Sequence, residues 1–116
     1  MPLQYNREPV IQSNISLDRA LKVLSEPTRL EIMRLLGNTE ELCCRVVPVP
    51  SDDAPPLGLC VQDLVAHMHL PQSTVSHHLA SLRSVGLVNT YKSGQCIYYI
   101  RHDFAFNRVK EELARI

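Results

Sequence analysis

The chain of 116 residues carries 12 Lys or Arg against 12 Asp or Glu, a formal net charge of zero, and at this size one domain is expected, small enough that dimerisation would help to stabilise it. With 45% hydrophobic and 21% charged residues the composition is that of an ordinary globular protein. No stretch approaches the length needed to cross a bilayer and the first thirty residues lack a long apolar run, so no membrane partner is expected and a cytoplasmic location is.

Residues 1–13 contain Pro2 and Pro9 among polar residues and read as an N-terminal arm. From Ile15 to Leu24 the spacing of Leu17, Ala20, Leu21 and Leu24 predicts a first amphipathic helix, with Asn14 or Ser16 as its N-cap. Pro27 opens a second, with Leu30, Met33, Leu35 and Leu36 expected inward and Gly37 as its stop. Residues 38–58 break the pattern: Pro48, Pro50, Pro55 and Pro56, the pair Asp52 and Asp53 and the absence of a helical period predict a long loop insertion of about twenty residues. That loop carries the adjacent Cys43 and Cys44.

Residues 60–101 read as helix, tight turn, helix and β-hairpin. Val61, Leu64, Val65 and Met68 form the stripe of a core-facing helix, which His69, Leu70 and Pro71 interrupt. In the next helix Val75, Leu79 and Leu82 share one face, while Ser73, His77, Ala80 and Ser81 fall opposite. Small hydroxyls, an alanine and an imidazole can approach base edges and phosphates at little desolvation cost, which suits a major-groove reading helix; a merely solvated polar face is the plainer alternative. Leu87–Tyr91 and Cys96–Ile100 are rich in β-branched and aromatic residues, with Lys92, Ser93, Gly94 and Gln95 supplying the turn and a cation at its tip. The fold class expected is mainly α with a small β-hairpin, a winged helix-turn-helix of about five helices. The last helix starts at Asp103, with Phe106, Val109, Leu113 and Ile116 on its apolar stripe.

Charge narrows the nucleic-acid reading. Residues 1–58 hold six Lys or Arg against eight Asp or Glu, and residues 59–116 six against four, so DNA contact rests on a few placed cations, chiefly Arg83, Lys92 and Arg101.

The run "LCVQDLVAHMHLPQSTVSHHLASLRSVGLVNTYKSGQCIYYIR", with "LSEPTRLEIMRLLG" upstream, resembles the ArsR/SmtB family of metal-responsive winged-helix repressors over roughly residues 17–116. The shared features are the "EPTRL" opening of the second helix, the "STVSHHL" recognition helix, the "LRSVGLV" exit and the "GQ…YY" wing. The resemblance implies a homodimer on a palindromic double-stranded DNA operator. Gln72, Ser73, Thr74, Ser76 and His77 would then read DNA, with Arg83, Lys92, Gln95 and Arg101 on the flanks. It further implies a dimer interface of the first and last helices, through Leu17, Leu21, Phe106, Val109 and Leu113; packing of these stripes within one chain is the alternative.

Cys60 falls where arsenic-sensing members of the family have the first cysteine of "CVCDL". Here the motif is "CVQDL", and Gln62 replaces the second thiol. Cys43 and Cys44 are followed by fifteen residues before Cys60, and an irregular span of that length lets three sulfurs meet. Three soft thiolates without a fixed imidazole suit As(III) or Sb(III). Zn(II) or Cd(II) is the second reading, because Asp63 and His67 lie on the helical face of Cys60. A thiol-disulfide switch between Cys43 or Cys44 and Cys60 or Cys96 is the third. The family's zinc site on the last helix is expected to be missing, since Ala105 stands where a histidine is needed. Cys96, at the wing base, is expected in the core. His77 is placed towards DNA and His78 at the core edge, and His67 with His69 is not read as a ligand pair. No phosphate-binding glycine loop, nucleophile elbow or metalloprotease helix motif occurs, so no enzyme is expected.

Overall fold

The computed structural model describes residues 15–37, 47–48 and 57–116. They form α1 (Leu17–Leu24), α2 (Pro27–Gly37), β1 (Val47–Pro48), β2 (Leu57–Cys60), α3 (Val61–Met68), α4 (Gln72–Ser84), β3 (Val88–Ser93), β4 (Cys96–Arg101) and α5 (Asp103–Ala114). The described part therefore has the five expected helices and a winged hairpin.

The helix-turn-helix is built by backbone chemistry at two ends. His69 closes α3 in the left-handed region (φ 59°), its N–H donating to the Val65 carbonyl at 2.9 Å. Pro71 is the N-cap of α4, and its carbonyl accepts from Thr74 and Val75, both at 3.1 Å. At the far end of α4, Gly86 (φ 83°) donates to Arg83 O and Leu87 to Leu82 O. This pair of bonds is a Schellman motif, and it is why "SVGL" stops the helix and turns the chain into the wing.

Val75, Leu79 and Leu82 are fully buried, as their spacing predicts, and pack with Ala20, Leu24, Ile32, Met33, Leu64 and Val109 into one core. In α2 the buried residues are Ile32, Met33, Leu35 and Leu36, whereas Leu30 is 39% exposed. Leu30 sits in the first turn, beyond the reach of the core that the later turns cover.

The sheet is larger than the hairpin. β3 and β4 pair antiparallel with Ser93 opposite Cys96, so the turn is only Gly94 (φ 65°) and Gln95. On the other side of β4, Leu59 pairs with Tyr99 and Cys60 with Tyr98, and β1 adds at the edge to give the order β1-β2-β4-β3. The expected loop at 38–58 thus contains strand residues at 47–48 and 57–58. Gly58 permits the close approach: a Cβ there would lie 3.0 Å from the Tyr98 Cβ and 3.3 Å from Ile100 Cγ1. Cys43 and Cys44, and the arm at 1–13, lie outside the described residues.

Candidate nucleic-acid interface and thiol site

Helix α4 presents the expected face. Gln72, Ser73, His77 and Ala80 are exposed, and Thr74, Ser76 and Ser81 are half-buried beside them. Ser76, Ala80, Arg83 and Ser84 line a cleft of about 350 Å³ whose opposite wall is Tyr99 of β4. That cleft separates α4 from the wing, and Arg83 lies in its α4 wall. Lys92 and Gln95 are exposed at the hairpin end. Gln62 on α3 donates to Gln72 Oε1 at 3.1 Å, fixing the N-terminal turn of α4 against the first helix of the motif.

Arg101 is placed differently from its expected DNA role. Its Nη1 donates to the Met33 carbonyl at 3.1 Å and its Nε to Asp103 Oδ1 at 2.6 Å, while its guanidinium carbon lies 5.1 Å from the Phe106 ring centroid. The side chain fills space left by Gly37, where a Cβ would fall 2.2 Å from Nη1. Arg101 therefore braces the wing against the C-terminal end of α2, whose negative dipole end favours a cation.

A second connection was not visible in the sequence. Glu26 Oε1 accepts from the backbone N–H of Thr28 (2.7 Å) and Arg29 (3.2 Å), capping α2. Arg29 then donates from Nε to His78 Nδ1 at 3.0 Å and from Nη1 to Val23 O at 3.3 Å. His78 is thus the core-edge histidine expected, tied to the α1–α2 corner, while its neighbour His77 faces outward with the two rings edge to face at 5.5 Å. Burial works to raise the Glu26 carboxyl, but the N–H bonds from Arg29 and Thr28, with the charges of His78 and Arg29, prevail and hold it below its ordinary value.

Cys60 is both the last residue of β2 and the N-cap of α3. The Asp63 carboxylate reaches back to accept from the Cys60 backbone N–H at 3.1 Å and from its thiol at 3.3 Å, a capping box with sulfur in the usual hydroxyl's place. Cys60 is half-buried. Cys96 is exposed, not in the core: in its register it shares the sheet face of Tyr98 and Cys60, and the wing's end leaves that face uncovered at Cys96. Burial raises the Tyr98 phenol above its ordinary value, and the charge and hydrogen bond of Cys96 add to this. Among the described residues no three His, Cys, Asp or Glu side chains converge as a metal site.

Of the residues expected at a dimer interface, Val109 is buried within the chain, and Leu17, Leu21 and Phe106 are half-buried. The Phe106 ring also carries Lys110 Nζ at 4.7 Å. Leu113 is 42% exposed.

Comparison with known proteins agrees with this architecture. The profile of the bacterial regulatory protein, arsR family, matches residues 58–90, which run from β2 through the helix-turn-helix into β3. An arsenical resistance operon repressor of Staphylococcus xylosus is 38% identical over 89 residues, covering 76% of this chain and 68% of the relative. The cadmium resistance transcriptional regulatory protein CadC of Listeria innocua is 31% identical over 84 residues. That match covers 72% of this chain but 56% of CadC, so the chain spans little more than half the length of that relative. Among solved structures, a possible transcriptional regulator for arsenical resistance superposes with a TM-score of 0.62 at 25% identity, covering 84% of this chain and 82% of the other. No described helix is long and apolar enough to cross a membrane. The chain belongs to the ArsR/SmtB family of winged helix-turn-helix transcriptional repressors, DNA-binding regulators and not enzymes.

Proposed function

We propose that this chain is a metal(loid)-responsive repressor, acting in the cytoplasm as a homodimer on a palindromic operator. Trivalent arsenic or antimony is the effector, and Cys43, Cys44 and Cys60 are its ligands. The observation that carries this reading is the position of Cys60: its backbone belongs to the wing sheet and to the start of α3 at once, so a force on its sulfur reaches both DNA-contacting parts. The name of the Staphylococcus xylosus relative supports the arsenical class.

The chain's own residues supply the rest. Gln72, Ser73, Thr74, Ser76 and His77 enter the major groove, and Arg83, Lys92 and Gln95 meet flanking phosphates. Leu17, Leu21, Phe106 and Leu113 join two copies, while Val109 packs in the chain's own core. In the free repressor the Cys60 thiol donates to Asp63. Replacing that proton with a ligand bond breaks the thiol–Asp63 hydrogen bond beside the capping box and changes how α3 begins, which shifts the spacing of the two reading helices. By linkage the effector must bind free dimer more tightly than operator-bound dimer by the same factor that it weakens DNA binding.

A second reading has its own observation. The Asp63 carboxylate beside the Cys60 sulfur offers an oxygen ligand, which suits Zn(II) or Cd(II) better than As(III), and the CadC relative is named for cadmium resistance. Titration of operator-bound protein with As(III), Sb(III), Zn(II) and Cd(II) separates the two. Release by As(III) at stoichiometric dose, lost in Cys60→Ser, is expected; release by Zn(II) or Cd(II) alone would replace the arsenical assignment and leave the repressor standing.

A further inference from the structure

We propose that Cys96 is a ligand of the effector site: with Cys60 it forms a two-sulfur clamp for a trivalent arsenical that ties the wing to the foot of α3. The proposal rests on the reading of Cys60 as an effector thiol, but not on Cys43 and Cys44.

The sheet register places the two sulfurs. Cys60 is directly opposite Tyr98, and Cys96 lies two residues from Tyr98 on β4, so all three side chains share one face and the cysteines are diagonal neighbours. Diagonal neighbours have Cβ atoms roughly 7 Å apart, against about 4 Å in a disulfide, so the pair is too far apart for a direct S–S bond. Two Cβ–Sγ bonds take up about half of that gap and leave roughly 3.5 Å between sulfurs, close to the spacing of two thiolates on one ion at about 2.3 Å. The gap is therefore the size of an ion, which separates this site from a redox switch. Exposure of Cys96 gives an incoming arsenical access. Tyr98 stands beside both cysteines on that face, opposite Cys60 and two residues from Cys96.

The reaction needs no oxidant. An organoarsenic(III) oxide, R–As=O, condenses with the two thiols: two S–As bonds form, the As=O bond breaks, both thiol protons leave with the oxygen as one water, and arsenic stays trivalent. The bound arsenical bridges the wing strand β4 to the foot of α3, so the two move as one unit.

The test uses the reduced full chain and phenylarsine oxide, followed by intact mass and alkylation of free thiols. Cys43→Ser/Cys44→Ser is expected to take up one equivalent and to protect both Cys60 and Cys96 from alkylation. Adding Cys96→Ser, or Cys96→Ala as a second form, is expected to weaken uptake by at least about tenfold, since one sulfur is lost from a chelate. Operator release by the arsenical should fall in parallel. If wild type takes up the reagent but Cys96 remains alkylated in the adduct, or the Cys96 variants bind as tightly as their parent, the clamp is overturned and the Cys43–Cys44–Cys60 reading stands. If wild type takes up none, both fall.

Discussion

The most informative single contact is the Arg29–His78 hydrogen bond, because it joins the corner between α1 and α2 to α4, the helix proposed to read DNA. Arg29→Met keeps the aliphatic stem and removes both donors, leaving His78 Nδ1 and Val23 O to find other partners. A loss of about 1–3 kcal/mol is expected, seen as a lower urea midpoint with unchanged slope. Glu26 acts at the same corner, with a different signature. Its carboxyl is held below the ordinary value of 4.5, so its contribution is fully present above that value and is lost as pH falls from there through the depressed folded value. Urea unfolding of wild type and Glu26→Gln at steps from pH 7 to pH 3 should show wild type ahead at neutral pH and the difference closing in acid. A difference that persists unchanged at pH 3 would mean that the cap, and not the charge, is what the glutamate supplies.

At the scale of elements, α4 has two faces with separable jobs. Leu79 is fully buried, and Leu79→Ala should cost about 2–5 kcal/mol of stability through the cavity it leaves. His77 is exposed, and His77→Ala should change stability by less than about 0.5 kcal/mol while weakening operator binding by about 1–3 kcal/mol. Thermal melts and fluorescence anisotropy on the same two variants read both quantities. Lys92→Ala should instead weaken all DNA about equally and reduce the salt slope by about 1. This division of α4 was legible in the sequence, since Val75, Leu79 and Leu82 repeat at helical spacing and small polar residues fall opposite. The Gly94 turn was legible because it is a local signal, whereas the Gly86 stop was read only from the structure. What was not legible depends on distant partners. Leu57–Cys60 is a four-residue run without clear alternation, and it becomes a strand only because β4 offers an edge much later in the chain. Arg101 looks like a free wing cation until α2 brings Gly37 and Met33 beneath it. Cys96 alternates inward on paper, but the sheet face that it joins is open at its end.

For the whole molecule, the balance of charge favours the proposed dimer. With equal numbers of acidic and basic residues, one copy cannot hold DNA by a general basic surface, and one recognition helix reads too few base pairs for useful discrimination. Two copies double both the base contacts and the handful of placed cations. The apolar residues that the fold leaves outside its core point to how they meet: Leu113 and Ile116 at the end of the chain are 42% and 91% exposed, and Leu17 and Leu21 on α1 are half-buried. The described α1 and α5 pack against one another, so these residues belong to neighbouring surfaces. Leu113→Glu puts a charge at the centre of the proposed interface without touching the buried Val109. Sedimentation should show the dimer dissociating at concentrations at least about tenfold higher than for wild type, because burying an uncompensated carboxylate costs more than the about 1.4 kcal/mol of one decade. The monomer should keep its fold by circular dichroism, and operator binding should become steeper in protein concentration and weaker. A variant that remains dimeric and binds operator normally would place the interface elsewhere and return the α5 stripe to packing within one chain.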